Sequence, residues 1–157
     1  MPKVNRKPVG LPGVAAGRRV IVVEPANLYG CTLSDDVFVG PFVEIQRGVT
    51  VGARTRVQSH SFVCELVTIG ADCFVGHGVM FINDTFATGG PARGNRRLWK
   101  STVVGDRVSI GSNATILPVR ICDDVVIGAG AVVTKDITKP GIYAGNPARR
   151  LRALPKK

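Results

Sequence analysis

The sequence contains few of the features by which several classes of protein are identified. Its 157 residues include only two histidines, one tryptophan and four cysteines, and the cysteines form no C-x-x-C pair, so no zinc site is indicated. No run of about 18 apolar residues is present, which argues against a transmembrane helix. The basic first seven residues lack the apolar segment of a signal peptide. These absences and the chain length predict one cytoplasmic domain spanning 1–157, without a metal or membrane attachment.

Negative charge is also scarce, since 21 lysines and arginines outnumber 11 acidic residues for a net charge of +10. The cations concentrate in the first residues, in segment 93–100 and after Arg149, whereas the middle of the chain is nearly neutral. Only six Phe, two Tyr and one Trp are available for stacking on bases, and no nucleic-acid-binding motif occurs. We therefore expect the charge to serve small polyphosphate ligands rather than nucleic acid.

The dominant pattern is an apolar residue at every sixth position. Nine consecutive positions follow it: Leu33, Val39, Ile45, Val51, Val57, Val63, Ile69, Val75 and Phe81. A second series, four residues after each of these, contains only small or β-branched residues. Neither an α-helix nor a simple strand has a period of six. The pattern predicts a solenoid of short strands joined by corner turns, three six-residue sides to a coil, which is the hexapeptide β-helix.

The regular pattern has one interruption. Coils are expected over 20–138, with a Gly- and Pro-rich insertion at 86–101 that carries one Trp and several cations. Insertions in solenoids form loops on one face, which is often the binding face. The insertion is therefore the first place to expect substrate contacts.

A short helix is expected at 146–154, after the last coil. Asn146 suits the N-cap and Pro147 the first helical position. Leu151 and Leu154 would then cover the open end of the solenoid.

The repeat places chemically active side chains together. Residues about 18 apart share a corner in successive coils, roughly 4.8 Å apart, so His60 and His77 are expected at one corner. Glu65, Asn83 and Asp84 are expected at the next corner, directly before the insertion. This grouping of acid, base and amide side chains is the strongest functional signal in the sequence.

Four segments carry a resemblance to a known family. They are 57–70, Val75-Gly76-His77-Gly78-Val79 with the following Phe81-Ile82-Asn83-Asp84, segment 127–136, and Ala144-Gly145-Asn146-Pro147-Ala148. With the hexapeptide repeat, they resemble the left-handed β-helix acyltransferases. Within that group the chain looks most like the nucleotide-sugar 3-N-acetyltransferases, which act on UDP-2-acetamido-3-amino-2,3-dideoxyglucuronate or on dTDP-3-amino-3,6-dideoxyhexoses.

The resemblance implies an all-β, left-handed parallel β-helix, a homotrimer with active sites between subunits, and acetyl-CoA as donor. It implies that the pantetheine arm lies along Gly111, Ser112, Gly128, Ala129 and Gly130. It places the phosphates of CoA near Lys135, Arg149 and Arg150. It places the sugar nucleotide near Glu65, His60, His77, Asn83 and Asp84, with Arg93 or Arg97 on the diphosphate.

The expected reaction is direct attack of a sugar amine on the acetyl-CoA thioester, in a step of surface-polysaccharide synthesis. We expect His77 to accept the amine proton and Asn83 to orient the amine. A sugar amine is less basic than lysine, so a second route needs no protein base, and the leaving thiolate takes the proton.

Three other functions fit parts of the sequence. An O-acetyltransferase would share the fold and act on a sugar or serine hydroxyl, which needs a base to activate it. A γ-type carbonic anhydrase would need three zinc-binding histidines, and the chain has two. The third is a non-catalytic solenoid that serves as a scaffold or an ice-binding surface. Such surfaces need a flat, regular ladder of Thr, and the outward positions here are irregular.

Overall fold

A computed structural model describes residues 10–155 of the chain. Successive strands turn from one sheet to the next, and every third strand returns to the same sheet, where it pairs in parallel with the strand one coil earlier. The result is a solenoid of three sheets, here called sheets 1, 2 and 3, that meet at three edges. Each edge is the stack of turns that connects two sheets in successive coils. The 1–2 edge connects sheet 1 to sheet 2, the 2–3 edge connects sheet 2 to sheet 3, and the 3–1 edge connects sheet 3 to sheet 1 of the next coil.

The strands are mostly two residues long. Sheet 1 contains β1 (Ala15–Ala16), β4 (Thr32–Leu33), β7 (Thr50–Val51), β10 (Val67–Ile69), β13 (Thr102–Val104) and β16 (Arg120–Ile121). Sheet 2 contains β2 (Ile21–Val22), β5 (Phe38–Val39), β8 (Arg56–Val57), β11 (Phe74–Val75), β14 (Ser109–Ile110), β17 (Val125–Ile127), β19 (Gly141–Ala144) and β20 (Arg149–Arg152). Sheet 3 contains β3 (Asn27–Leu28), β6 (Glu44–Ile45), β9 (Phe62–Val63), β12 (Met80–Phe81), β15 (Thr115–Ile116) and β18 (Val132–Val133). Coil 1 is β1–β3, and coils 2 to 6 follow in the same way.

The core consists of the residues that the six-residue period marks as inward. All nine positions from Leu33 to Phe81 are buried, and so are the small residues of the second series from Val37 to Val79. Side chains alternate between the two faces of a strand, and from β3 onward each two-residue strand buries its second side chain and turns the first one outward. The predicted fold class, an all-β left-handed parallel β-helix, is confirmed.

The insertion leaves the coils on either side in register. β12 and β15 pair through Met80 with Thr115 and Phe81 with Ile116, although the chain between them contains the irregular segment and a 3-10 helix at Arg96–Leu98. The 3–1 edge of coil 4 therefore carries the insertion as a loop outside an uninterrupted solenoid.

The predicted helix at 146–154 is wrong. A turn that includes the cis peptide Asn146–Pro147 leads into β20, which pairs antiparallel with β19 through Ala144 with Arg149. The local capping signals of Asn146 and Pro147 suit a turn equally well. The open edge of sheet 2 offers unpaired backbone groups, and an antiparallel strand satisfies them. Leu151 is exposed in this arrangement rather than docked on the core.

No helix among residues 10–155 is long and apolar enough to cross a membrane.

Candidate active site

The 2–3 edge brings seven of the fifteen predicted site residues together. Its turns at 58–61, 76–79, 111–114 and 128–131 stack coil upon coil, because β8, β11, β14 and β17 pair in register. His60 and His77 lie on this edge, as expected from their spacing. The predicted cofactor residues Gly111, Ser112, Gly128, Ala129 and Gly130 continue the same edge toward the C-terminus.

The two histidines share the edge but contact different neighbours. His77 lies above Ser59, and Nδ1 of His77 is 2.9 Å from Oγ of Ser59. The His60 ring instead stacks on Phe42, one coil earlier, with ring centroids 4.9 Å apart. His77 is exposed, and its Nδ1 is engaged, so Nε2 is the ring nitrogen that remains for a ligand.

A buried hydroxyl fixes the turn that presents His77. Ser61 Oγ donates to the carbonyl of Gly76 at 2.8 Å and accepts from the amide of Val79 at 3.2 Å. These two residues flank His77 and Gly78, so Ser61 bridges both ends of the turn from inside the coil. Sequence reasoning noted Ser61 only as a small inward residue.

The C-terminal side of His77 is lined by small residues. Gly78 has φ near +65°, and a Cβ there would collide with Oδ1 of Asn113 in the next coil. At Gly130, two coils beyond His77, a Cβ would meet nothing within 4 Å. The Asn113 side chain occupies the position above Gly78, but the register places the small residues Ser112 and Ala129 above His77, and an unbranched chain could lie along these two.

A cationic pocket lies at the C-terminal end of the solenoid, beside the last coil. A cavity of about 270 Å³ is lined by Lys135, Arg149 and Arg150, the three residues predicted to meet phosphates. Arg150 also donates to the carbonyl of Pro140 at 3.2 Å, which orients its guanidinium. Planar guanidinium groups and lysine together suit a phosphate ligand.

The 3–1 edge carries the second predicted group. Asn83 lies above Glu65 and donates from Nδ2 to the Glu65 carbonyl at 3.1 Å. Asp84 binds the backbone of the insertion, since its carboxylate accepts from the amides of Phe86 at 3.0 Å and Ala92 at 2.6 Å. The contacts of Asp84 are thus those of a residue that shapes the loop.

An arginine that sequence reasoning did not single out joins the insertion to the solenoid. Arg96 forms an ion pair with Glu65 and lies 6.0 Å from the centroid of the Trp99 ring. Asn95 caps the 3-10 helix by accepting from the amide of Arg97. Arg93 and Arg97 are exposed on this loop. No periodic signal marks Arg96, because the path of the insertion decides its partner.

The four cysteines are all free thiols. Burial raises the pKa of each, and raises the pKa of Cys64 to about 12, so these groups stay protonated near neutral pH. A cysteine acyl intermediate is disfavoured for that reason. Among residues 10–155 no three His, Cys, Asp or Glu side chains group as metal ligands.

Three sheets of mainly parallel strands, a six-residue period and stacked corner turns define a hexapeptide-repeat β-helix protein. Residues 101–135 match the family model "hexapeptide repeat of succinyl-transferase". The bifunctional protein GlmU of Acinetobacter baumannii is 31% identical over 114 residues, which are 72% of this chain. The chain spans only 22% of the length of that relative.

Solved structures of acyltransferases share the fold. AntD, an N-acyltransferase from Bacillus cereus solved as a mutant with dTDP and coenzyme A, superposes with a TM-score of 0.79 at 20% identity, over 90% of this chain and 84% of AntD. A galactoside acetyltransferase in complex with coenzyme A gives a TM-score of 0.66 at 27% identity, over 79% of this chain and 64% of that enzyme. The comparisons confirm the resemblance to hexapeptide-repeat acyltransferases.

Proposed function

We propose that the protein is an acetyl-CoA-dependent N-acetyltransferase that acylates the amino group of a nucleotide-linked sugar. The observation that carries the proposal is the layout of the 2–3 edge. An exposed histidine with one anchored ring nitrogen lies in the middle of the edge, small residues follow it, and a cationic pocket lies beyond them. AntD, which shares the fold, was solved with coenzyme A and a nucleotide.

The donor lies on the C-terminal side of His77. Four strand spacings in sheet 2 separate β11, the strand before His77, from β20, which carries Arg149 and Arg150; this is about 19 Å along the axis at the strand spacing of a β-sheet. The pantetheine arm runs along Gly111, Ser112 and 128–130. Lys135, Arg149 and Arg150 bind the phosphates.

The histidine accepts the proton of the attacking amine. When Nδ1–H donates to Ser59 Oγ, the lone pair of Nε2 is available as a base. The amine attacks the thioester carbonyl, the proton passes to Nε2 of His77, and the thiolate of CoA leaves. Asn83 orients the amine, Glu65 and His60 contact the sugar nucleotide, and Arg93 or Arg97 contacts its diphosphate.

The assembly is a homotrimer with each site between two subunits. The insertion leaves from the 3–1 edge, whereas His77 lies on the 2–3 edge, so a neighbouring subunit is needed to bring the loop cations to the histidine. Acetyl-CoA and nucleotide sugars are cytoplasmic metabolites. The reaction accordingly belongs in the cytoplasm, in the synthesis of a surface polysaccharide such as lipopolysaccharide.

The first experiment is mass spectrometry of the purified protein with acetyl-CoA and a panel of nucleotide-linked 3- and 4-amino sugars. The expected result is the mass gain of one acetyl group on one member. CoA release without any acetylated amino sugar, but with acetylated hydroxyl sugars, would favour an O-acetyltransferase. A protein that binds no CoA is not a transferase.

Substitution of His77 by Ala tests the mechanism. We expect kcat to fall by about 10²- to 10⁴-fold, the usual contribution of a general base, with little change in the KM of acetyl-CoA. His60→Ala is the matched comparison, because His60 lies one coil away and contacts Phe42 instead. Its loss should raise the KM of the acceptor and leave kcat close to that of the wild type. Near-full turnover by His77→Ala would show that the thiolate takes the proton.

A further inference from the structure

The N-terminal side of His77 differs in character from the C-terminal side. Below His77 the 2–3 edge carries two rings, His60 and Phe42, in place of glycine and alanine. The Phe42 side chain is 58% exposed, and its backbone has φ of 60°. A left-handed backbone is unfavourable for a bulky residue. The Phe42 ring is also mostly exposed to water, so it does not contribute to the core.

Phe42 forms one wall of a small cavity of about 210 Å³. Pro25, Ala26 and Val43 give the cavity apolar walls, and Asn27 and Glu44 of β3 and β6 supply its polar side. An apolar slot with a few polar groups at its margin has the general character of a small-molecule site, and its aromatic face suits a planar heterocycle.

The polar side of the cavity is built to accept hydrogen bonds. The Glu44 carboxylate already receives the Tyr29 hydroxyl at 3.3 Å and the Gln46 amide at 2.9 Å on Oε1, and the Asn27 amide at 3.3 Å on Oε2. A carboxylate has about four acceptor positions, so Oε2 keeps one. The amide nitrogen of Asn27 is used by Glu44, which leaves the Asn27 oxygen as a second acceptor beside it.

The hydroxyl of Tyr29 helps to hold this carboxylate in place. Burial, and then the charge of Glu44, raise the pKa of Tyr29, so Tyr29 keeps its proton and acts as a donor. Glu44 is thus a fixed acceptor rather than a solvated surface carboxylate.

We propose that the Phe42 cavity is the nucleobase subsite of the acceptor, and that Glu44 selects a base with adjacent N–H donors, as guanine has. The base stacks on Phe42, while its N1–H and exocyclic amino group donate to Glu44 Oε2 and Asn27 Oδ1. Uracil and thymine present a single N–H between two carbonyl oxygens, which the carboxylate would repel. Phe42 lies two coils before His77, about 10 Å along the axis, a span that a diphosphate and a hexose fill. This inference rests on the proposed function.

The test is calorimetric titration of the protein, with and without CoA, by GDP, ADP, CDP, UDP and dTDP. We expect GDP to bind at least about tenfold more tightly than UDP or dTDP, the discrimination that a paired base edge supplies. Phe42→Ala should weaken GDP binding by about 10- to 100-fold. Phe74→Ala, which removes another exposed ring from sheet 2, should leave it unchanged.

Glu44→Gln should remove the preference for GDP over UDP while its thermal unfolding stays close to that of the wild type. Equal or tighter binding of UDP or dTDP by the wild type would overturn the base selection. Unchanged GDP binding by Phe42→Ala would overturn the subsite. Either result, combined with intact CoA binding and acetylation of a UDP- or dTDP-linked sugar, leaves the proposed function standing. Absence of CoA binding refutes the proposed function itself.

Discussion

Two buried hydroxyl groups perform the same structural task at two edges of the solenoid. Thr55 Oγ1 donates to the Gly70 carbonyl at 2.8 Å and accepts from the Cys73 amide at 3.0 Å on the 1–2 edge. Ser61 makes the equivalent pair of bonds around the His77 turn on the 2–3 edge. Both residues belong to the small inward series, so the sequence predicts their burial but not the turns that they hold.

Substitutions of Thr55 and Ser61 can distinguish an effect on the stability of the fold from an effect on activity. We expect Thr55→Val and Ser61→Ala each to lower the free energy of unfolding by about 1–3 kcal/mol, because each leaves a buried amide without its partner. Only Ser61→Ala should also reduce kcat, since it alone frees the turn that carries His77. Urea unfolding and steady-state kinetics on both variants make the comparison. Equal kcat values in the two variants would contradict the link between Ser61 and the histidine.

The insertion is held to the solenoid by a small number of contacts. Arg96 pairs with Glu65, and the Asp84 carboxylate accepts two backbone amides of the loop. Arg93 and Arg97 extend from a segment that these contacts hold in shape. The loop therefore acts as a fixed arm on the 3–1 edge.

Loss of the Arg96–Glu65 pair should affect the acceptor but not the donor. We expect Arg96→Ala to raise the KM of the acceptor by about tenfold, the effect of a coupled pair of 1–2 kcal/mol, with the KM of acetyl-CoA unchanged. In a Glu65→Gln background the same substitution should add little. Additive effects of the two changes would show that Arg96 and Glu65 act independently.

The 1–2 edge carries a series of side chains of alternating charge, here called the charge ladder. Its members occupy the left-handed position of successive turns on the 1–2 edge: Arg19, Asp36, Arg54, Asp72, Arg107 and Asp124. Ion pairs join Arg19 to Asp36 at 2.5 Å, Arg54 to Asp72 at 2.6 Å and Arg107 to Asp124 at 2.8 Å. Opposite charges in neighbouring coils favour the correct stacking of one coil on the next.

The charge ladder predicts a loss of stability in acid. A hydrogen bond from Arg19 lowers the pKa of Asp36, and one from Arg54 lowers the pKa of Asp72, each from the ordinary 3.8. A carboxyl group with a lowered folded-state pKa stabilises the fold above its unfolded value, and this contribution is lost as the pH falls through the folded pKa. Thermal unfolding should therefore shift to lower temperature between about pH 5 and pH 2. Asp72→Asn should show a smaller shift, and high salt should weaken the difference at neutral pH.

At the scale of the whole molecule, the placement of His77 and the loop on different edges gives a test of the trimer. Co-refolding of the His77→Ala chain with the Arg97→Ala chain should restore activity. In randomly mixed trimers, about a quarter of the sites receive an intact His77 from one subunit and an intact Arg97 from its neighbour. Mixing the folded proteins without exchange is the control. No recovery, with mixed trimers demonstrated by mass spectrometry, would place each site within one subunit.

The period of six predicts the coils well because one physical requirement, an inward apolar side chain on each short strand, recurs at every step. It predicts the shared edge of His60 and His77 for the same reason. It does not give the stacking of His60 on Phe42 or of His77 on Ser59, since these depend on positions within a turn. The C-terminal helix was predicted from local caps at Asn146 and Pro147, whereas pairing with β19 decided the structure. The ion pair between Arg96 and Glu65 depends on the path of the insertion, and the six-residue period does not predict that path.

The unbroken register across the insertion has an evolutionary consequence. Because Met80 pairs in parallel with Thr115 of the next coil as it does with Phe62 of the previous one, the insertion leaves the pairing of the coils unchanged. Such a loop can lengthen, shorten or be exchanged between related solenoids without a compensating change in the core. Selection can then act on substrate choice and on folding separately, and a scaffold of this kind can acquire new acceptors by grafting a single segment.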